Sequence, residues 1–167
     1  EHNKTVGDFY CSNCREDYEL KSKQNSMGKR VLDGAYYTMI ERLQSSNNPN
    51  FFLLNYDLSN FSVTNFFVIP KHFFVPRIIE KRKPLATTAR RAGWVGCNIL
   101  LQSIPQTGKI FFVKNKQIEP KEKVLAEWQK TLFLREEKEV SAKGWLLDVI
   151  RCVEKFEKRE FTLDEVY

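Results

Sequence analysis

Polar and apolar positions alternate strictly in Tyr18-Glu19-Leu20-Lys21-Ser22, the period of a β-strand. Glu19 and Lys21 therefore share one face, and Tyr18, Leu20 and Ser22 the other. A second short β-rich run, Val6-Gly7-Asp8-Phe9-Tyr10, ends in the tight turn Cys11-Ser12-Asn13-Cys14. A hairpin folded there sets Asp8 beside Glu19. The period then lengthens: Ala35, Tyr36, Met39, Ile40 and Leu43 recur at helical spacing, with Asp33 placed to cap a helix reaching about Ser45. Asn47-Asn48-Pro49-Asn50 ends that helix. The continuous apolar runs Phe51-Phe52-Leu53-Leu54-Asn55-Tyr56 and Phe66-Phe67-Val68-Ile69 predict strands covered on both faces.

Two further strands are expected from Ile99 to Leu101 and from Lys109 to Val113, separated by Pro105 and a Thr107-Gly108 turn. A helix from about Pro120 to Leu134 would bury Val124, Leu125, Trp128 and Leu132. Another, from about Ser141 to Glu157, would bury Trp145, Leu146, Val149, Ile150, Val153 and Phe156. Residues 82–98 carry no clear period. Mixed strands with flanking helices predict an α/β fold, a sandwich rather than alternating βαβ units.

The 167 residues suffice for one domain with a real core. No run of about 18 apolar residues is present, so no membrane span is expected, and no signal-peptide pattern opens the chain. Thr162-Leu163-Asp164-Glu165 reads as a capping box opening a new helix, which predicts a fragment trimmed at both ends. The net charge of +6 suits a polyanion only mildly. Its distribution says more. Arg77, Lys81, Arg82, Lys83, Arg90 and Arg91 face a single acid, Glu80, in one segment; Lys21, Lys23, Lys29 and Arg30 form another. Two basic segments favour phosphate contacts.

The candidate chemistry sits on the hairpin. Asp8 and Glu19 are two carboxylates able to hold a hard divalent cation such as magnesium, and Lys21 can position a metal-polarised water for attack on phosphorus. Cys11 and Cys14 have the spacing of half a tetrahedral zinc site. Cys97 and Cys152 read as small core residues and His72 as structural; His2 is a possible third ligand, though a lone terminal histidine seldom counts. Arginine and threonine between residues 82 and 98 could hold DNA phosphates, while Trp94 either stacks on bases or packs against the sheet.

Asp8-Phe9-Tyr10-Cys11-x-x-Cys14 followed by Glu19-Leu20-Lys21-Ser22-Lys23 resembles the catalytic segment of the DpnI-type restriction endonucleases. The likeness continues collinearly through Asp33-Gly34-Ala35-Tyr36, Arg82-Lys83-Pro84-Leu85-Ala86, Thr88-Ala89-Arg90-Arg91-Ala92-Gly93-Trp94 and Gly96-Cys97-Asn98-Ile99 to Phe161-Thr162-Leu163. It implies a restriction-endonuclease-like PD-(D/E)xK core, a mixed β-sheet flanked by helices with a zinc-knuckle hairpin. Residues 1–160 would form the nuclease domain, and 161–167 would start a helix leading to a winged-helix domain.

The resemblance further implies magnesium-dependent cleavage of double-stranded DNA at GATC when the adenine is N6-methylated, in the cytoplasm. Asp8, Glu19 and Lys21 would be catalytic, with Asp8, Glu19 and the Leu20 carbonyl holding Mg2+, and Cys11 and Cys14 half of a Zn2+ site. Lys23, Arg82, Lys83, Thr88, Arg90, Arg91 and Trp94 are the candidate DNA contacts. Gly7 stands where the motif's proline would be. Another nuclease specificity, or a non-catalytic zinc-containing DNA-binding module, are the competing readings. Neither a membrane nor a small-molecule substrate is expected, and oligomeric state is open.

Overall fold

The structure, a computed structural model, describes residues 7–45, 48–156 and 162. Strands β1 (Phe9–Cys11) and β2 (Glu16–Gln24) form the expected hairpin, and β3 (Arg30–Ala35) leads into helix α1 (Tyr36–Gln44). Strands β4 (Asn50–Tyr56), β5 (Val63–Ile69), β6 (Ile79–Lys81), β7 (Gly96–Leu100), β8 (Ile110–Lys114) and β9 (Gln117–Ile118) follow. Helices α2 (Lys121–Gln129), α3 (Phe133–Glu136) and α4 (Val140–Val153) end the described chain.

The strands build two sheets. A six-stranded mixed sheet runs β1-β2-β4-β5-β8-β9, and a three-stranded antiparallel sheet runs β3-β7-β6. Only β2 and β4 pair in parallel. One core joins the two: Phe51, Leu53, Phe67 and Ile69 of the large sheet pack with Val31, Ile79, Cys97 and Ile99 of the small one and with Met39 and Leu43 of α1. A mixed α/β fold was expected; the division into two sheets was not visible in the pattern.

Several expectations change. The apolar strands are fully covered on one face only. Phe51 and Leu53 are buried, whereas Phe52, Leu54 and Phe66 are half-buried on the other side. There the aromatics cover one another, Phe9 against Tyr18 and Phe52, Phe52 against Phe66, and Phe66 against Phe112, with ring centroids 5.2–5.8 Å apart. This row of rings holds the β1–β2 hairpin to the sheet. The expected helix from Pro120 breaks after Gln129, α2 buries no residue fully, and Leu125 lies exposed. In α4 the buried positions are Gly144 and Leu147, not Trp145 or Val149, which are exposed. Cys152 is exposed rather than a core residue. Asp33 does not cap α1: the cap position is Ala35 and has no side-chain bond. His2 and the capping-box helix after Thr162 lie outside the described residues.

Candidate active site and nucleic-acid interface

The hairpin register pairs Phe9 with Tyr18, so Asp8 comes to lie across from Glu19. Its Oδ2 accepts the Leu20 backbone N–H at 2.8 Å, which fixes the carboxylate beside β2. Gly7 makes the approach possible. A Cβ there would sit 2.3 Å from the Tyr18 carbonyl oxygen, so no residue with a side chain fits, proline included. That is a steric reason for the glycine in the proline position.

Alternation along β2 sends Glu19 and Lys21 into the space between the sheets and Tyr18 to the aromatic row on the far side. Lys21 pairs with Glu19 and donates to Asp33 Oδ1 at 2.7 Å. Asp33 is the site residue that sequence reasoning missed. Its position ahead of the helix suggests a cap, yet Val31 and Asp33 share one face of a strand, and that face closes over β2. The period-two reading of 30–35 would have found it. Beneath the cluster lies Cys97, fully buried, its thiol pushed up to about 11 by burial and then by the charge of Asp33. It is a neutral floor, not a ligand.

Burial raises the pKa of Glu19, and the charges of Asp33 and Asp8 push the same way against the opposing hydrogen bond from Lys21. Burial works to lower the Lys21 ammonium, but the hydrogen bonds to Asp33 and Glu19 outweigh it and the net shift is upward. Two carboxylates thus hold Lys21, and a third, Asp8, lies close to Glu19. That crowding is the environment a divalent cation relieves, and the oxygen donors suit magnesium. Cys11 fits a metal in another way. Its thiol pKa is lowered by the Cys14 backbone N–H first, then by the Cys14 side chain and the Asn13 N–H, which favours the thiolate a zinc ligand must supply. Two sulfurs do not complete a tetrahedral site, and among the described residues no group of three or more His, Cys, Asp or Glu is arranged to hold a metal.

The basic segment connects β6 to β7. Arg82 N–H bonds the Gly96 carbonyl, and Leu85 exchanges bonds with Trp94 and Gly93, so residues 82–95 form an ordered series of turns. Arg82, Lys83, Thr88, Arg90 and Arg91 are all exposed. The four cations among them have no acidic partner among the described residues. Trp94 is half-buried: its ring lies over Gly96, where a Cβ would be 2.8 Å away, and the Arg91 guanidinium stacks 4.6 Å from its centroid. It is the base on which the loop rests. Because β7 also carries Cys97 beside Asp33, the loop emerges next to the carboxylate cluster.

Other basic residues have structural work. Arg77 pairs with Asp148, Lys81 donates to the Tyr37 hydroxyl, and Arg30 meets Glu80 at 3.1 Å. Lys23 is exposed on β2 with its ammonium 3.5 Å from the Met27 carbonyl.

This constellation, two carboxylates and a lysine on a hairpin beside an unpaired basic loop, is that of a nuclease. Residues 1–137 match the DpnI family, described as the Dam-replacing family, and residues 141–167 match its Dam-replacing HTH domain. The chain belongs to the DpnI family of restriction endonucleases. Helix α4 falls within the second match from its second residue onward. No helix among the described residues is long and apolar enough to cross a membrane.

Proposed function

We propose that this chain hydrolyses phosphodiester bonds of duplex DNA at GATC sites whose adenine is N6-methylated, with magnesium as its metal, in the cytoplasm. The observation that supports the reading is Asp8 held beside β2 near Glu19, which pairs with Lys21, in a DpnI-family chain. Asp8, Glu19 and the Leu20 carbonyl would hold the ion. When bound, it would supply positive charge to the scissile phosphate and a polarised water.

The chain's own groups do the rest. Lys21, held between Glu19 and Asp33, orients the attacking water and favours its deprotonated form through its positive charge. Asp33 keeps the ammonium aimed at that place. Arg82, Lys83, Arg90 and Arg91 grip the backbone, with Thr88 donating to phosphate and Lys23 extending the contact along β2. Cys11 and Cys14 would contribute the hairpin's half of a structural zinc site, which would steady the turn that follows Asp8.

The test is incubation with magnesium and two duplexes that differ only in adenine methylation at one GATC, with Lys21→Ala as control. Cleavage of the methylated duplex alone, lost in the control, is the expected result. Equal cleavage of both duplexes would remove the methyl requirement. Binding without turnover would leave a DNA-binding module.

A further inference from the structure

A cleft of about 390 Å³ lies away from the carboxylate cluster, between the 3-10 turn Lys71–Phe73, the end of α3 and the start of α4. Residues more than 60 positions apart build it. Its charged and titratable lining is Lys71, His72, Arg135, Lys138 and Lys143, with Glu137 the one acid.

The cations are undercompensated. Glu16 serves two of them, Lys71 at 2.5 Å and Arg135 at 3.7 Å. Glu137 accepts the Glu139 backbone N–H at 2.8 Å, and neither Lys138 nor Lys143 forms an ion pair among the described residues. Lys143 lies in the opening turns of α4, the end whose dipole repels a cation, and α4 has no side-chain cap for its first amides. Partial burial lowers the Lys143 pKa, and Lys71 adds to that against the pull of Glu137. A lone half-buried ammonium at an uncapped helix start costs stability unless an anion joins it.

His72 supplies a second, independent observation. The residue is 7% exposed, and Nε2 is buried without a hydrogen-bond partner among the described residues. A buried polar atom of this kind calls for a partner. The imidazole is held neutral, its pKa lowered to about 4 by burial and then by Lys143, Arg135 and Lys71, with a hydrogen bond to the Thr131 backbone opposing. The charges that act most on the ring are the cations Lys143, Arg135 and Lys71, while Glu137 also lines the cleft and Glu16 pairs with Lys71 and Arg135. A tetrahedral oxyanion there would compensate the cations, cap α4 and accept from Nε2 once the ring takes up a proton.

We infer that this cleft is a phosphate-binding site, formed by Arg135, Lys138, Lys143 and the start of α4 above His72. It stands apart from the catalytic cluster and does not depend on the cleavage reading. The phosphate could belong to a DNA backbone or be free in solution; the shared chemistry is a tetrahedral oxyanion.

The test follows the His72 imidazole by NMR between pH 4 and 7 in the full chain, comparing sulfate with chloride at equal ionic strength. An anion at the cleft favours the imidazolium, so sulfate should raise the His72 pKa by about half a unit or more. Lys143→Ala, or the more exposed Lys138→Ala if the first fails to fold, should remove most of that rise. An identical titration in both salts, or the same rise in both variants as in the parent, overturns the inference. A duplex lacking GATC is then added: if it displaces sulfate the site takes backbone phosphate, and if the sulfate effect persists the site takes free oxyanion.

Discussion

Asp33→Asn keeps the shape of the side chain and removes its charge. Asp33 Oδ1 accepts from Lys21 at 2.7 Å, and its side chain is only 8% exposed, so solvent screens the pair little. A hydrogen bond to a charged partner contributes about 1.5–3 kcal/mol. Lys21 keeps Glu19 in the variant, which puts the loss near the lower end, about 1.5–2 kcal/mol, or roughly 10- to 30-fold in rate at about 1.4 kcal/mol per factor of ten. If Asp33 aims Lys21, that loss falls on the chemical step. Single-turnover cleavage with saturating enzyme should slow by this factor while duplex affinity stays within about twofold. The melting temperature should also fall, by roughly 3–8 °C for a chain of this size, so rates are compared well below it. A variant that cuts at the parent rate, or whose whole defect is weaker DNA binding, would show that Asp33 does not position the lysine.

Gly7→Ala brings a methyl group against the Tyr18 backbone; the expected cost is about 1–3 kcal/mol by denaturant titration, with cleavage falling further than stability because Asp8 is displaced. Arg90→Ala with Arg91→Ala should weaken binding to methylated and unmethylated duplexes alike and reduce the slope of log affinity against log salt by about 2, read by fluorescence anisotropy. An unchanged slope would take those arginines off the DNA backbone. His72 has a depressed folded pKa of about 4 against an ordinary 6.5, so between these values the unfolded chain binds more protons and stability falls as the pH falls. The loss should reach about 3 kcal/mol near pH 4 and be much smaller in His72→Gln, measured by urea unfolding in chloride. If the variant shows the same pH dependence, another group governs it.

The hairpin was legible because its information is local. Alternation in 18–22, a tight turn at 11–14 and a separation of 11 residues were enough to set Asp8 opposite Glu19, and register did the rest. The basic loop was legible for a similar reason: charge without period reads as exposed chain, and residues 82–91 are nearly all exposed. Family likeness added what pattern could not, since an Asp, a gap and Glu-x-Lys recur by chance.

Where the faces of helices and strands depended on a distant partner, the linear pattern failed. Trp145 is more apolar than Gly144, yet Gly144 is buried and Trp145 exposed, because α4 packs Gly144 beside Arg77 and turns the indole to solvent. Asp33 looked like a cap until the second sheet folded β3 over β2 and delivered its carboxylate to Lys21. His72 looked structural, and its environment of Lys71, Arg135 and Lys143 exists only once α3 and α4 close over the 3-10 turn. Local periodicity specifies which side of an element is apolar and which neighbours it can pair; what lies across from that side is chosen by packing between segments far apart in the chain, and the charges that meet there follow from it.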